Sequence, residues 1–482
     1  MKALRSEYDV VVIGAGMGGL TCGASLAKAG MKVLVCEQHS VPGGYCTSFK
    51  RKGFTFETSI HWLNQCAEGG LIYQTLEELG IQDQIEFIQL DPVRRIIGKD
   101  YDLTVFLDTQ RLEDDLKRMF PAEAEGIHQF ITDCTTLAKS PEVMTKYLGK
   151  SSQQVFDYLF QDSKLKSILC SIVTFPQWSV LPLMFSIGWF SEKDYYFPKR
   201  GGAQALADLF GSTFQGYGGD LALKTMVKKI WIENGKASGV ELQSGERIKS
   251  KYVVSNADAR LTFLKLVGRE LLDEEFIKDL LETEICPPVF LVSLGVDMDL
   301  GKMGFNGAMI TYNPSAELAD LSTADPSRCG ITIIIYSLRD PSLAPPGKHT
   351  VSIGAMLPYE YMGNWGVDKQ GRRGREYKKL KEQVADRLIA LAENVIPGLS
   401  QHIVCKDIAT PLTYERYTLN TRGAIMGWDL TPQNFMKMRP QDTPIKNLYQ
   451  AGHWVFPGGG IPAVIPSGRL AAELILKESQ DA

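Results

Sequence analysis

The sequence predicts an α/β protein in which a Rossmann-type dinucleotide-binding domain is combined with an α+β substrate domain. Two observations carry this expectation. Between Tyr8 and Glu37 a strand, a glycine loop, a helix, a second strand and an acid follow one another in order. Further along, apolar strand candidates precede a long helix, and the chain closes on a Gly/Pro-rich loop and a Leu/Ala-rich helix.

Val10 to Ile13 is an unbroken apolar run, as expected of a parallel strand buried on both faces. Gly14, Gly16 and Gly19 then occupy the G-x-G-x-x-G places in the segment Gly14-Ala15-Gly16-Met17-Gly18-Gly19. Gly14 allows the tight turn, Gly16 lets the backbone approach a pyrophosphate, and Gly19 lets helix and strand pack closely. The helix that follows carries Leu20, Ala24, Leu26 and Ala27, ends at Gly30, and offers its N-terminal amides to an anion. The second strand, Lys32 to Cys36, ends on Glu37, whose carboxylate is placed to accept both hydroxyls of a ribose. An acid there disfavours NADP but does not separate NAD from FAD.

Length and composition agree with a folded protein of this kind. At ~150 residues per domain, 482 residues suggest two or three domains. The hydrophobic fraction of 44% and charged fraction of 22% exclude a disordered or collagen-like chain. Lys+Arg 52 against Asp+Glu 56 gives a net charge of −4, without the basic excess of a nucleic-acid binder. The nine cysteines form no C-x-x-C, which excludes a zinc knuckle or a thioredoxin-type redox pair. The six histidines form no H-x-x-x-H, so no metal site is expected. Met1 to Arg5 leads straight into a strand rather than a signal peptide, so a reducing, cytoplasmic location is expected.

The segment after Glu37, QHSVPGGYCTSFKRKGFTFETSIHW, resembles the second half of the FAD signature in the phytoene desaturase superfamily, which includes carotenoid isomerase and retinol saturase. The stretch TFETSIHW is most similar to the isomerase and saturase branch. Three further stretches carry the same resemblance: Tyr195 to Phe210, the region from KTMVKKIW to KYVVSNADA, and NLYQAGHWVFPGGGIPAVIPSGRLAAELIL from Asn447 to Leu476. The resemblance implies the FAD domain of the glutathione-reductase-like, amine oxidase and phytoene desaturase type, discontinuous over 8–90, 195–272 and 419–482. The substrate domain would take 91–194 and 273–418.

The same resemblance implies FAD contacts at Gly14, Ala15, Gly16, Met17, Gly18, Gly19, Glu37, Gln38, Gly44, Tyr45 and Cys46. It adds Ser59, Ile60, His61, Val227, Asn256, Ala257, Gly452, His453, Gly460, Ile461 and Pro462. Two positions depart from the pattern. Tyr45 stands where many relatives have Arg, and His453 where many have Asp. The terminal helix would face the flavin with its N-terminus, where Pro462 and Pro466 are tolerated.

His61 and His453 are the expected catalytic candidates, since an imidazole gives or takes a proton near neutral pH. Glu57 reads as a buried contact of the cofactor domain rather than a base. Thr410 to Trp428 resembles the segment along the family's substrate cavity, which nominates Tyr417, Arg422 and Trp428 as lining residues.

Ile168 to Phe190 carries no formal charge and reads as core, as the wall of an apolar tunnel, or as a loop dipping into one leaflet. Lys369 to Lys381 holds seven basic residues against one acid, and reads as a solvated helix face or a contact for anionic lipid heads. The expected function is hydride exchange at C–C bonds of a long apolar, isoprenoid or polyene substrate, as a desaturase, saturase or isomerase. A flavin amine oxidase and a non-catalytic prenyl carrier of the same fold are the alternatives.

Overall fold

The computed structural model describes residues 4–315 and 323–480. Its first sheet has seven strands, six of them in the order Val227–Glu233, Lys236–Leu242, Arg247–Ser255, Glu7–Ile13, Val33–Cys36, Asp220–Ala222. The seventh, Leu448–Gln450, pairs in parallel with the far end of Arg247–Ser255. Val10, Val11 and Val12 are fully buried, because helices cover one face and the chain between Val227 and Leu280 covers the other.

The apolar run Tyr252 to Ser255 is only the second half of a strand that begins at Arg247. Its first half alternates exposed Arg247, Lys249 and Lys251 with buried Ile248 and Ser250, so only its second half shows the continuous apolar run. The helix Met17–Lys28 follows the glycine loop and ends before Gly30, whose φ of +87° suits a residue without Cβ.

The terminal helix Ile461–Gln480 lies against Met17–Lys28. Their backbones touch, since a Cβ on Gly468 would collide with the carbonyl of Gly18. Glu57 ties the cofactor sheet region to the helix Gly202–Gly216 by accepting from the Ala203 amide at 3.1 Å. Its Oε2 is buried without a hydrogen-bond partner, and burial pushes the carboxyl up to about 8. Glu57 is therefore a structural contact, as expected.

The second sheet runs Ile403–Ala409, Val289–Val296, His349–Met356, Ile331–Ile334, Met309–Asn313, Arg94–Gly98, Tyr101–Val105. One face, with Phe290, Val292 and Leu294, packs on the helix Arg375–Glu393. The opposite face looks towards two helices, Ser163–Val173 and Leu181–Ser191.

These two helices account for the uncharged stretch Ile168 to Phe190. The chain breaks between them around Pro176, and Pro182 sits in the first turn of the second, where no amide is lost. Ile168, Leu169 and Ile172 belong to a buried core while Ser171, Val173 and Phe185 line a cavity, so both the core and the wall readings hold. Among the described residues no helix is long and apolar enough to cross a membrane. In the basic segment, Arg373 and Lys381 lie over the buried ring of Tyr377, and the other five basic side chains are exposed.

The helix crossing predicts that Gly468→Ala destabilises the protein by about 1–3 kcal/mol, the usual range for overpacking. Gly216→Ala, where a Cβ meets nothing within 4 Å, leaves the melting temperature unchanged. Glu57 binds its proton more tightly folded than unfolded, so it makes stability fall as pH rises from about 4.5 towards 8. Thermal unfolding at pH 5 and pH 8 is expected to show a smaller loss in Glu57→Gln than in the wild type.

Candidate functional site

A single cavity of about 1700 Å³ joins the glycine loop of the first sheet to the open face of the second. Its nucleotide end is built from backbone. Gly14 takes φ +94°, and a Cβ on Gly19 would collide with the Gly14 carbonyl. Gly16 is the N-cap of the first helix and makes no side-chain cap, which leaves the first-turn amides for an anion. The Asn256 side chain is wedged below this loop. Its Nδ2 donates to the Gly14 carbonyl at 3.4 Å and lies 2.7 Å from where a Cβ on Gly16 would stand.

A Cβ on Gly18 would lie 2.8 Å from the Gly452 amide nitrogen, so the C-terminal loop also closes on this loop. Gly43 donates its amide to the Ala15 carbonyl at 2.8 Å and lays the Gly43-Gly44 doublet alongside. Glu37 sits at its strand end, 8% exposed, its two oxygens accepting from the Ala15 amide at 2.8 Å and the His39 amide at 2.7 Å. Gln38, Val227, Asn256 and Ala257 also line this end. A glycine cradle that excludes Cβ atoms, a helix N-terminus and a fixed carboxylate fit a dinucleotide.

The middle of the cavity collects the remaining expected residues. Tyr45 donates to the Ala424 carbonyl at 2.8 Å, with its ring 5.9 Å from that of His453. Cys46 is buried and donates to the Ala203 carbonyl, and all nine cysteines are free and buried. The Gly452 amide donates to Ser467 Oγ at 2.8 Å, which anchors the loop to the terminal helix. Ser59, Ile60, His61, Gly460, Ile461 and Pro462 line the same space.

Both imidazoles differ from the proton-exchanging groups expected of them. Tyr336 donates its hydroxyl proton to the Ile60 carbonyl at 2.8 Å, so at 2.8 Å from His61 Nδ1 it accepts. His61 therefore carries its proton on Nδ1 and has a bare Nε2. Burial, with the charges of Arg339 and Arg94 nearby, pulls its pKa down to about 3. His453 is pulled down to about 4 by burial. Neither is an acid at neutral pH; each is a neutral ring available to accept.

The substrate-lining residues expected from Thr410 to Trp428 divide. Tyr417 lies at the nucleotide end, its carbonyl accepting from Gln38 at 3.0 Å and its ring 5.6 Å from His39. Arg422 is on the surface, paired with Glu360, and does not line the cavity. Trp428 is buried behind the C-terminal loop, donating to the Trp454 carbonyl at 2.9 Å. A resemblance along a segment does not say which face of it looks inward.

The far end of the cavity is the open face of the second sheet, where the two-residue period of the strands brings Leu291 and Ser293, Ser352 and Gly354, and Met309 and Thr311 inward. Small residues at the centre leave room between this floor and the helices Ser163–Val173 and Leu181–Ser191. Arg94 and Trp62 stand where the apolar chamber meets His61. Neither was expected from sequence. In Val93 to Ile97 each face of the strand carries one arginine, so the pattern alone does not choose between them; the fold puts Arg94 inside with buried Ile96 and Arg95 outside with Asp102.

Residues 12–79 match the NAD(P)-binding Rossmann-like domain family. The chain is 30% identical to the chloroplastic prolycopene isomerase of Daucus carota, over 98% of this chain and 81% of that one. It is 25% identical to a 4,4'-diapophytoene desaturase (4,4'-diapolycopene-forming) of Methylomonas sp, over 98% and 96% of the two chains. Among solved structures, an oxidoreductase from Methanosarcina mazei superimposes with a TM-score of 0.71, at 19% identity over 97% of this chain and 99% of that one. With its dinucleotide cradle opening on an apolar chamber, the chain belongs to the phytoene desaturase, carotenoid isomerase and retinol saturase-like family of oxidoreductases.

Proposed function

We propose that the protein binds FAD and exchanges hydride at C–C bonds of a long isoprenoid or polyene substrate. The observation that carries this reading is the continuity of one cavity from the dinucleotide cradle to the apolar chamber. Its volume of about 1700 Å³ exceeds the ~300–1,000 Å³ usual for a single small ligand. Similarity to an isomerase and a desaturase of carotenoids supports the choice of substrate. A non-catalytic prenyl carrier would leave the complete cradle without a purpose.

In this reading the first-helix amides hold the pyrophosphate and Glu37 the ribose. Val227, Asn256 and Ala257 would support the ADP half, while Gly452, His453 and the N-terminus of the terminal helix would face the ring; Pro462 has no N–H there, and the Ala463 and Val464 amides donate to the Gly460 carbonyl. Bound there, the flavin supplies hydride uptake or return, chemistry that no side chain provides. The protein contributes orientation, dryness and a fixed pattern of donors. The N-terminus of Ile461–Gln480 favours negative charge beside it. His61, held as the Nδ1–H tautomer by Tyr336, presents a lone pair and no exchangeable proton to the substrate. The lining includes the exposed side chains of Leu148 and Phe456, which suit entry of an apolar molecule from a lipid surface.

The purified protein is expected to be yellow and to release FAD on denaturation. Gly16→Val, which forces a side chain against Asn256, is expected to abolish flavin content. A folded wild type that neither carries nor takes up FAD overturns the reading. For the reaction, anaerobic titration with polyenes separates the cases: bleaching of oxidised flavin marks desaturation, reoxidation of reduced flavin marks saturation, and a changed double-bond geometry without net flavin change marks isomerisation. None of the three in flavin-loaded protein refutes C–C hydride exchange.

Two further outcomes are expected. Because His61 stays neutral, the chemical rate should show no inflection near pH 6.5; an inflection there that His61→Gln removes would assign it a proton-exchanging role. At Gly354 a Cβ meets only ordinary contacts at 3.8 and 3.9 Å, so Gly354→Leu projects into the chamber. That variant should turn over short polyenes in preference to long ones while keeping its flavin.

A further inference from the structure

Of the arginines and lysines that line the cavity among the described residues, Arg94 alone is buried, while Arg51, Lys139, Arg373, Lys381 and Arg416 lie nearer the surface. Arg94 is 6% exposed and lines the cavity from the strand Arg94–Gly98. Its Nη1 donates to Thr311 Oγ1 at 3.0 Å, and its guanidinium carbon lies 5.4 Å from the Trp62 ring centroid. Among the described residues no carboxylate lies within 4 Å of it, and its other N–H groups have no hydrogen-bond partner.

The remaining buried arginine of the same region is engaged differently. Arg339 donates to the carbonyls of Gly307 and His61, at 2.6 and 2.5 Å, and does not line the cavity. The neighbour on the same strand, Arg95, forms a two-pronged pair with Asp102 at 2.8 and 2.6 Å outside. Of the two arginines on this strand, Arg94 alone lines the cavity, so its fork meets a space that the protein leaves open.

A guanidinium removed from water without a counter-charge is costly, and the cost is offset only when a partner accepts its hydrogen bonds. A pure hydrocarbon in the chamber would displace water from Arg94 and offer nothing in return. A carboxylate would match the planar fork with two parallel hydrogen bonds. The surroundings suit such a group. Thr311 donates to the Ser171 carbonyl at 3.3 Å and Asn313 to Ser171 Oγ at 2.7 Å, so a polar strip runs along this part of the floor. On the other side, the Trp62 ring forms an apolar wall within reach of the guanidinium.

We propose that Arg94 is a carboxylate-binding subsite, and that the substrate is a long apolar chain carrying a carboxylate at one end. The proposal rests on the reading of the chamber as a site for an apolar chain, and narrows its substrate class. The acid end would sit beside Trp62, with the chain running across Ser352 and Gly354 beneath the two helices.

The test is binding to the flavin-loaded enzyme, followed by the flavin spectrum or by quenching of tryptophan fluorescence. The probes are retinoic acid, retinol, a C20 polyene hydrocarbon and palmitate. Wild type should bind retinoic acid at least about tenfold more tightly than the hydrocarbon, the factor expected of one charge-assisted pair. Arg94→Met should lose that preference while binding the hydrocarbon no less well, and Arg94→Lys should keep part of it. Unchanged flavin content and melting temperature show that the variants are folded.

Equal binding of acid and hydrocarbon by the wild type, or a preference that survives in Arg94→Met, overturns the subsite and leaves the polyene reading standing. Binding of palmitate through Arg94 without binding of any polyene sustains the subsite and removes the polyene reading. Binding of no probe at all removes both.

Discussion

Three stretches of backbone meet at the glycine loop with no Cβ between them, and the rest of the molecule is arranged around that approach. Gly19 lies on the Gly14 carbonyl, Gly468 on the Gly18 carbonyl, and Gly452 next to Gly18. The first contact closes the loop between the first strand and helix, and the other two bring the C-terminal loop and the terminal helix onto it. Asn256 fills the remaining gap from the third direction. The cradle is thus a junction of the start, middle and end of the sequence, held at distances that side chains do not permit.

The second sheet solves a different problem. A sheet packed on both faces has no room for a ligand, and a sheet open on one face exposes apolar surface to water. Here one face is closed by Arg375–Glu393, and the other is roofed by two helices at a separation that small central residues maintain. The helices Ser163–Val173 and Leu181–Ser191 belong to the core and to the cavity wall at once. Continuity of this chamber with the cradle brings an apolar molecule against a dinucleotide without passing through bulk water.

The local parts of this arrangement were legible in the sequence and the long-range parts were not. The glycine loop, its helix and Glu37 lie within one strand–helix–strand unit, so their order alone exposes them. The strand Val289–Val296 is one of the apolar strand candidates that precede the long helix, and its observed ends match the apolar run. Arg94–Gly98 and Tyr101–Val105 escaped notice because two arginines and a Lys-Asp turn give them a polar look. Only pairing with Met309–Asn313 puts Arg94 on the inner face. The two histidines were found, but their neutral state comes from burial, and the tautomer of His61 from Tyr336, which lies far along the chain. Arg422 and Trp428 were misplaced because proximity in sequence to Tyr417 carries no information on direction.

The junction at the glycine loop has a consequence for biosynthesis. The strand Leu448–Gln450, Gly452 and the helix from Ile461 complete a cradle whose other half, Gly14 to Gly19, is made much earlier in synthesis. A nascent chain that stops short of Leu448 has the phosphate loop but lacks the strand and helix that close over it. The complete cradle is therefore assembled only once the C-terminal segments are in place. Loss of the chain from Leu448 onward opens the cradle rather than trimming its edge.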